Sequence, residues 1–302
     1  MSPGWVFLAL ASTVISALIN LLDSHLMTQR MPGWRAYVLI CDLFTLPVSI
    51  IMLLIFPLPP GLGIAPLAAI LASTLTSGVA MIIILQAMKS EHVSRVSPLT
   101  STSPVFVAAL AFLFLGENFT WQQIFGIAAV VAGAILISLK WDARGGAYFH
   151  VRPFLMLLTA AVFIAISNVT NKYALGYMSY WNSATLIFLI SAVLFLAICI
   201  RPSVLREVAG LKERSLTIGL ALANQAVAIV VSILAYWAIQ LGPVALASAV
   251  FNSKPLFIFI FSGIVGHLFP RFLPPEHSSR KVLIIRASAT LAVVGGLVAM
   301  LI

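Results

Sequence analysis

The residues of this chain that could do chemistry are charged groups set inside apolar runs. Lys254 follows Asn252 and Ser253, precedes Pro255, and stands about ten residues from either end of a membrane-length apolar segment. A charge at that depth costs several kcal/mol unless it meets a partner, water or a ligand. Pro255 removes a backbone donor at the same level and loosens the helix there. The pattern points to an anion-binding lysine, for phosphate or carboxylate. The plainer alternative is a structural ion pair or a neutral buried lysine. Lys172 ends the stripe Asn168, Asn171, Lys172, whose spacing puts three polar groups on one helix face. It is expected either to form the outer wall of a polar path or to extend to the headgroups. Asn20 and Asp23, with Ser16, form a matching stripe early in the chain, and Asp42 lies in the next apolar segment. Asp42 and Asp23 are the proton-coupling candidates, since a membrane carboxyl can take up and release a proton. The alternative for both is a salt bridge to Arg30, Arg35 or Lys254. Asp23, at the expected membrane edge, fits that alternative better.

Gln86, Asn224, Tyr236 and Trp237 could add hydrogen bonds and aromatic walls around a solute. Each taken singly also suits helix packing, and Trp237 suits an interfacial anchor. Pro104 and Pro255 are candidates for gating kinks. No Gly-x-Ser-x-Gly, Walker, zinc-ligand or dinucleotide pattern occurs, so no catalytic residue, metal or cofactor is expected. Cys41 and Cys199 lie within apolar segments, which argues against a disulfide framework.

These residues need helices to hold them. The 302 residues are 62% hydrophobic and 8% charged, with a mean hydropathy of +1.11. A soluble domain carries roughly a quarter charged residues, so the composition is that of an integral membrane protein. Ten apolar segments lie near 5–27, 36–56, 62–86, 94–115, 121–140, 153–175, 181–200, 215–239, 244–268 and 282–301. Breakers separate them, among them Met31-Pro32-Gly33, Gly116-Glu117-Asn118 and Gly242-Pro243. No basic residue precedes the first segment, so it is expected to remain as a helix rather than be cleaved.

The net charge of +9 would suggest nucleic acid in a soluble protein. Here the basic residues fall in alternate short loops, the pattern of topology signals and anionic lipid headgroups, and no nucleic-acid partner is expected. Apart from Lys172 and Lys254, every Lys and Arg falls on one side of the expected membrane. That side is expected to be cytoplasmic, with both termini outside, in a bacterial inner membrane.

A division at Gly145-Gly146 gives halves 1–144 and 145–302 of five segments each. Five is odd, so the halves must be inverted. Sequence echoes agree. Ala87, Val93, Ser97 and Pro104 match Ala238, Val244, Ser248 and Pro255 at one constant offset, and Asn20-x-x-Asp23 matches Asn168-x-x-Asn171. The expected fold is an all-α integral membrane protein with ten transmembrane helices as two inverted five-helix repeats.

Val93-Ser94-Arg95-Val96-Ser97-Pro98 through Pro104, then Leu115-Gly116-Glu117, Gly126 and Ala132-Gly133, resemble the first repeat of ten-helix EamA-type members of the drug/metabolite transporter superfamily. In the second half Val265-Gly266-His267 stands where a second Gly-Glu would be expected, and an extended basic loop follows. The resemblance implies a central cavity and alternating access without ATP. It also implies that the ninth segment, with Lys254, lines the cavity. The superfamily carries amino acids, drugs, sugar phosphates and nucleotide sugars, so the resemblance names no substrate.

The expected function is therefore secondary transport of a small anionic or zwitterionic metabolite, with membrane lipids as surroundings and possible proton coupling. One alternative is a flippase for a lipid-linked or phosphorylated headgroup. A remote one is an intramembrane aspartyl protease built on Asp23 and Asp42, in which two carboxyls would share a proton.

Overall fold

A computed structural model describes residues 4–90, 102–138, 151–268 and 280–299. The described residues form helices joined by short turns, without strands. The helices are α1 (Gly4–His25), α2 (Trp34–Ile55), α3 (Ile64–Ser90), α4 (Ser103–Leu115), α5 (Trp121–Ser138), α6 (Val151–Ala174), α7 (Tyr180–Cys199), α8 (Arg214–Leu241), α9a (Val244–Phe251), α9b (Lys254–Leu268) and α10 (Arg280–Ala299). A π turn, Leu26–Arg30, prolongs α1, and a short helix, Pro202–Ala209, joins α7 to α8. Six of these helices are long and apolar enough to cross a membrane, and shorter apolar helices make up the remaining segments. Large apolar side chains such as Phe7, Leu54, Trp121, Phe125 and Leu291 point outward, as expected where lipid is the solvent. The expected division at Gly145-Gly146 and the basic loop after residue 268 lie outside the described residues.

The ninth segment differs from expectation. It is broken, not kinked: α9a stops at Phe251, and α9b begins at Lys254 with Pro255 in its first turn. Proline is tolerated in the first turn, where its missing N–H would have no intrahelical partner, and its ring denies the Phe251 carbonyl a donor in a continuous helix. Pro104 occupies the same place in α4, within the first turn rather than inside the helix.

Long-range contacts fix the helix directions. Trp5 lies against Gly242, Ser12 donates to the Val231 carbonyl at 3.3 Å, and Asn224 reaches Asp23, so α1 and α8 run antiparallel. Gln225 donates to Thr45 at 2.9 Å while Met52 clusters with Ile229, so α2 and α8 run parallel. Ser73 meets Ser167 at 3.0 Å and Ile70 clusters with Ala174, which sets α3 against α6. Gly78 faces Phe195 while Ile70 clusters with Ile187, which sets α3 parallel to α7. Thus α3 on α6 repeats α8 on α1, and the α2–α7 and α5–α10 pairs map onto themselves. Following the directions through leaves α1 and α6 opposed, so the two halves are inverted.

The α5–α10 pair crosses closely through glycines. A Cβ on Gly133 would lie 2.6 Å from Val293 Cγ2 and 2.7 Å from the Ala289 carbonyl oxygen, and one on Gly296 would lie 2.7 Å from the Gly126 carbonyl oxygen. At the start of α5, Thr120 and Gln123 cap each other's backbone N–H groups at 3.0 and 3.3 Å, as a capping box does. Gly116 ends α4 at φ +66, where a side chain would be strained.

Gly133→Ala is expected to cost about 1–3 kcal/mol through overpacking, read as a lower melting temperature of the detergent-purified protein. Gly295→Ala, whose Cβ would meet nothing within 4 Å, should leave it nearly unchanged. Equal behaviour of the two variants would show that the crossing is not close-packed.

Candidate functional site

The break in the ninth segment is built from short polar side chains. Ser253 returns to the Val250 carbonyl through both its backbone N–H (3.0 Å) and its hydroxyl (2.7 Å). Thr13 of α1 lies 3.3 Å from the same carbonyl and 2.6 Å from that of Ala9. Asn252 donates to the Ser248 carbonyl at 2.8 Å and across to Ser103 of α4 at 3.2 Å. It thereby ties the break to the first residue of the equivalent helix in the other half. The Ser248 hydroxyl, fully buried, has no hydrogen-bond partner among the described residues.

Lys254 opens α9b, which packs against α1. The residue as a whole is half-buried, and its ammonium makes no hydrogen bond among the described residues. Across from it stands Asp23 of α1, within electrostatic reach. The two are more than 4 Å apart, since Arg30–Glu213, at 2.9 Å, is the one ion pair within that distance among the described residues. Asp23 is held by two donors. The Tyr37 hydroxyl donates to its Oδ1, and Asn224 Nδ2 donates to the same oxygen at 2.6 Å. Asn224 Nδ2 also lies 3.2 Å from the Tyr37 hydroxyl. Tyr37 and Asn224 are both 4% exposed. Four helices, α1, α2, α8 and α9b, therefore converge on one cluster with a cation and an anion that do not touch. The π turn carries α1 past His25, so Asp23 lies inside the bundle and not at its edge. Arg30, at the end of that turn, closes the basic face by reaching Glu213 and, at 3.4 Å, Thr217.

The other expected site residues are dispersed. Asn20 and Asn168 are partly buried on α1 and α6. Asn171, the counterpart of Asp23, accepts from Ser183 at 2.6 Å and so packs α6 on α7. Gln86 is exposed. Tyr236 packs into three apolar clusters at once, its ring 6.4 Å from that of Phe188. Trp237 is 36% exposed and stacks on Tyr180 at 5.0 Å. Asp42 is 7% exposed, with no hydrogen bond among the described residues. Its expected partners are elsewhere: Arg30 on Glu213, Arg35 over the Trp34 ring, Lys254 facing Asp23. Asp23 and Asp42 share no hydrogen bond, so the dyad an aspartyl protease needs is not assembled. Among the described residues no three His, Cys, Asp or Glu side chains gather closely enough to hold a metal ion.

Lys172 stands at the neutral face, where its ammonium reaches the carbonyls of Ile239 (2.7 Å), Gln240 (3.3 Å) and Gly242 (2.7 Å). It closes the negative end of α8. Glu117 does the converse, accepting from the Val244 and Ala245 N–H groups at 2.8 and 3.4 Å at the positive end of α9a. The Gly242-Pro243 joint is thus clamped from both sides, with the Trp5 ring seated where a Gly242 Cβ would be. A cleft of about 270 Å³ opens beside it, lined by Glu117, Asn118, Lys172, Leu241, Gly242 and Pro243.

Tyr37 is the site residue that sequence reasoning missed. Its signal is the stripe Tyr37, Cys41, Thr45, Ser49, at one-turn spacing and buried throughout.

The sequence matches the model of the EamA-like transporter family over residues 3–139 and 152–272. It is 39% identical over 66 residues to a "Probable terminal-alkyne amino-acid exporter" of Streptantibioticus cattleyicolor, a match covering 22% of this chain and 21% of that protein. It is 36% identical over 67 residues to an "Uncharacterized transporter in cobO 3'region" of a Sinorhizobium species, covering 22% of this chain and 48% of that one. Each match thus spans less than half of the relative's length. A crystal structure with 17% sequence identity aligns with a TM-score of 0.69 over 98% of this chain and 94% of its own. At that identity it shows the fold alone.

Lys172→Met should leave the last carbonyls of α8 without their donor and cost about 1–3 kcal/mol, read as a fall in melting temperature. An unchanged melting temperature would mean that another donor closes this helix end.

Proposed function

The chain belongs to the EamA-like transporter family, and we propose that it carries a small anionic or zwitterionic metabolite across the membrane by alternating access. The observation that carries this reading is Lys254. It sits at the break of a membrane helix, partly accessible, with no hydrogen bond among the described residues. A lysine kept at that depth without a direct partner among the described residues is placed for a ligand. The α9b N-terminus adds its partial positive charge at the same point, the arrangement by which broken helices meet anionic groups in transporters.

The geometry supports a mechanism in which the inverted halves rock about this point. The break at Asn252-Ser253 lets α9a move with the neutral face while α9b stays with α1. Pro104, at the start of α4, gives the other half an equivalent joint. In the described state the Glu117–Lys172 clamp closes the joint between α8 and α9a, and Arg30–Glu213 ties the basic face. Under this proposal the basic face is cytoplasmic, where its loops meet anionic lipid headgroups. The relative from Streptantibioticus, an amino-acid exporter by name, makes export of an amino-acid-like solute the first direction to test.

The test is counterflow in proteoliposomes with radiolabelled amino acids and small carboxylates. Flux of at least one solute should fall at least about tenfold in Lys254→Gln, with folding retained, because a charge-assisted contact is lost. Flux equal to that of the unaltered protein would remove Lys254 from the path.

A further inference from the structure

We infer that the cluster between α1, α2, α8 and α9b is a zwitterion site, in which Lys254 takes a carboxylate and Asp23 takes a cationic group, such as an ammonium, on the same small molecule. This rests on the reading of Lys254 as the centre of the transport path and deepens it. The argument starts with the oxygens of Asp23. Tyr37 and Asn224 both donate to Oδ1. Oδ2 has no partner among the described residues, and the residue as a whole is half-buried. One face of the carboxylate is thus fixed and the other left open. Lys254, also half-buried, has all three ammonium donors free of hydrogen bonds among the described residues.

Opposite charges that sense each other in a low-dielectric interior normally close into a pair. Here they stay more than 4 Å apart, with Tyr37 and Asn224 holding Asp23 on its own wall. A molecule carrying both charges on neighbouring atoms bridges that gap and satisfies both groups. A simple anion at Lys254 would also face the Asp23 carboxylate, and a simple cation at Asp23 would face Lys254; each meets a like charge. A phosphate dianion is the worst fit. The pair together carries no net charge, and a zwitterion adds none, so the loaded site can cross the membrane interior without an uncompensated charge.

The experiment uses detergent-purified full-length protein and three ligands on one scaffold. These are an L-α-amino acid, its N-acetyl derivative (carboxylate only) and its methyl ester (cation only), run across a range of side chains. Affinity is read by titration calorimetry and thermal shift. The free amino acid is expected to bind about tenfold to a hundredfold tighter than either derivative, each having lost one charge-assisted contact. Asp23→Asn should remove the preference for the free amino acid over its N-acetyl form, and Lys254→Gln the preference over its ester. Tyr37→Phe, which keeps both charges but frees Asp23 to approach Lys254, should weaken the free amino acid most. An N-acetyl form that binds the unaltered protein as well as the free amino acid overturns the inference, yet leaves Lys254 as an anion site on the path. Absence of binding for all three forms overturns the inference, and absence of flux for the small carboxylates as well overturns both readings. The comparison in the unaltered protein decides the matter even if a variant fails to fold.

Discussion

A backbone carbonyl or N–H inside an apolar bilayer must find its partner within the protein, and most of this structure's polar side chains answer to that constraint. Where a helix ends or breaks, a side chain from another helix arrives. Asn182 donates to the carbonyls just past the end of α2, Phe56 and Pro57, at 3.0 and 2.9 Å. Gln240 holds the turn between α6 and α7 through Leu175, Met178 and Tyr180. Lys172 and Glu117 clamp the joint after α8, and Thr13 and Ser253 tend the break in the ninth segment. Once these are assigned to the backbone, few polar groups among the described residues remain for a solute. Among the described residues, Lys254 and Asp23, whose second oxygen has no partner there, are the charged ones that face each other.

The two halves share architecture but not chemistry. Under the offset relating Pro104 to Pro255, Ser103 stands where Lys254 does and Ser73 where Asn224 does. Asn171 stands where Asp23 does under the offset relating Asn20 to Asn168. The helix pair that corresponds to α1–α8 is α6–α3, and it is joined by the neutral Ser73–Ser167 contact. One twofold-related position is therefore sealed by small hydroxyls and an amide, while the other keeps a cation, a carboxylate, a phenol and an amide. An inverted repeat gives two equivalent framework positions, and side-chain divergence leaves one of them charged.

Much of this was legible along the chain. Hydropathy and alternating loop charge set the ten segments and their breakers, because burial in lipid is demanded of each segment separately. The depth of Lys254 within its segment, and the Asn20–Asp23 stripe, marked two groups that a membrane helix tolerates only for a reason. Glu117, in the breaker after α4, accepts from the first N–H groups of a helix more than a hundred residues away. The prolines announced weak points, but whether Pro255 would bend a helix or separate two was not written locally. That depended on Ser253, Asn252 and Thr13 satisfying the freed groups.

The sequence by itself determined what each stretch must do with its own backbone and its own apolar surface: helical period, span length, and the sidedness of basic loops. Only the tertiary structure decided which polar groups meet. Asn224 lies 201 residues from the Asp23 it bonds, and Lys172 lies 70 from the Gly242 carbonyl it closes. No periodicity carries such a pairing. It is also why Tyr37 went unremarked among the candidate site residues. A hydrogen bond depends on where two helices cross, and that crossing is set by the packing of all ten segments at once.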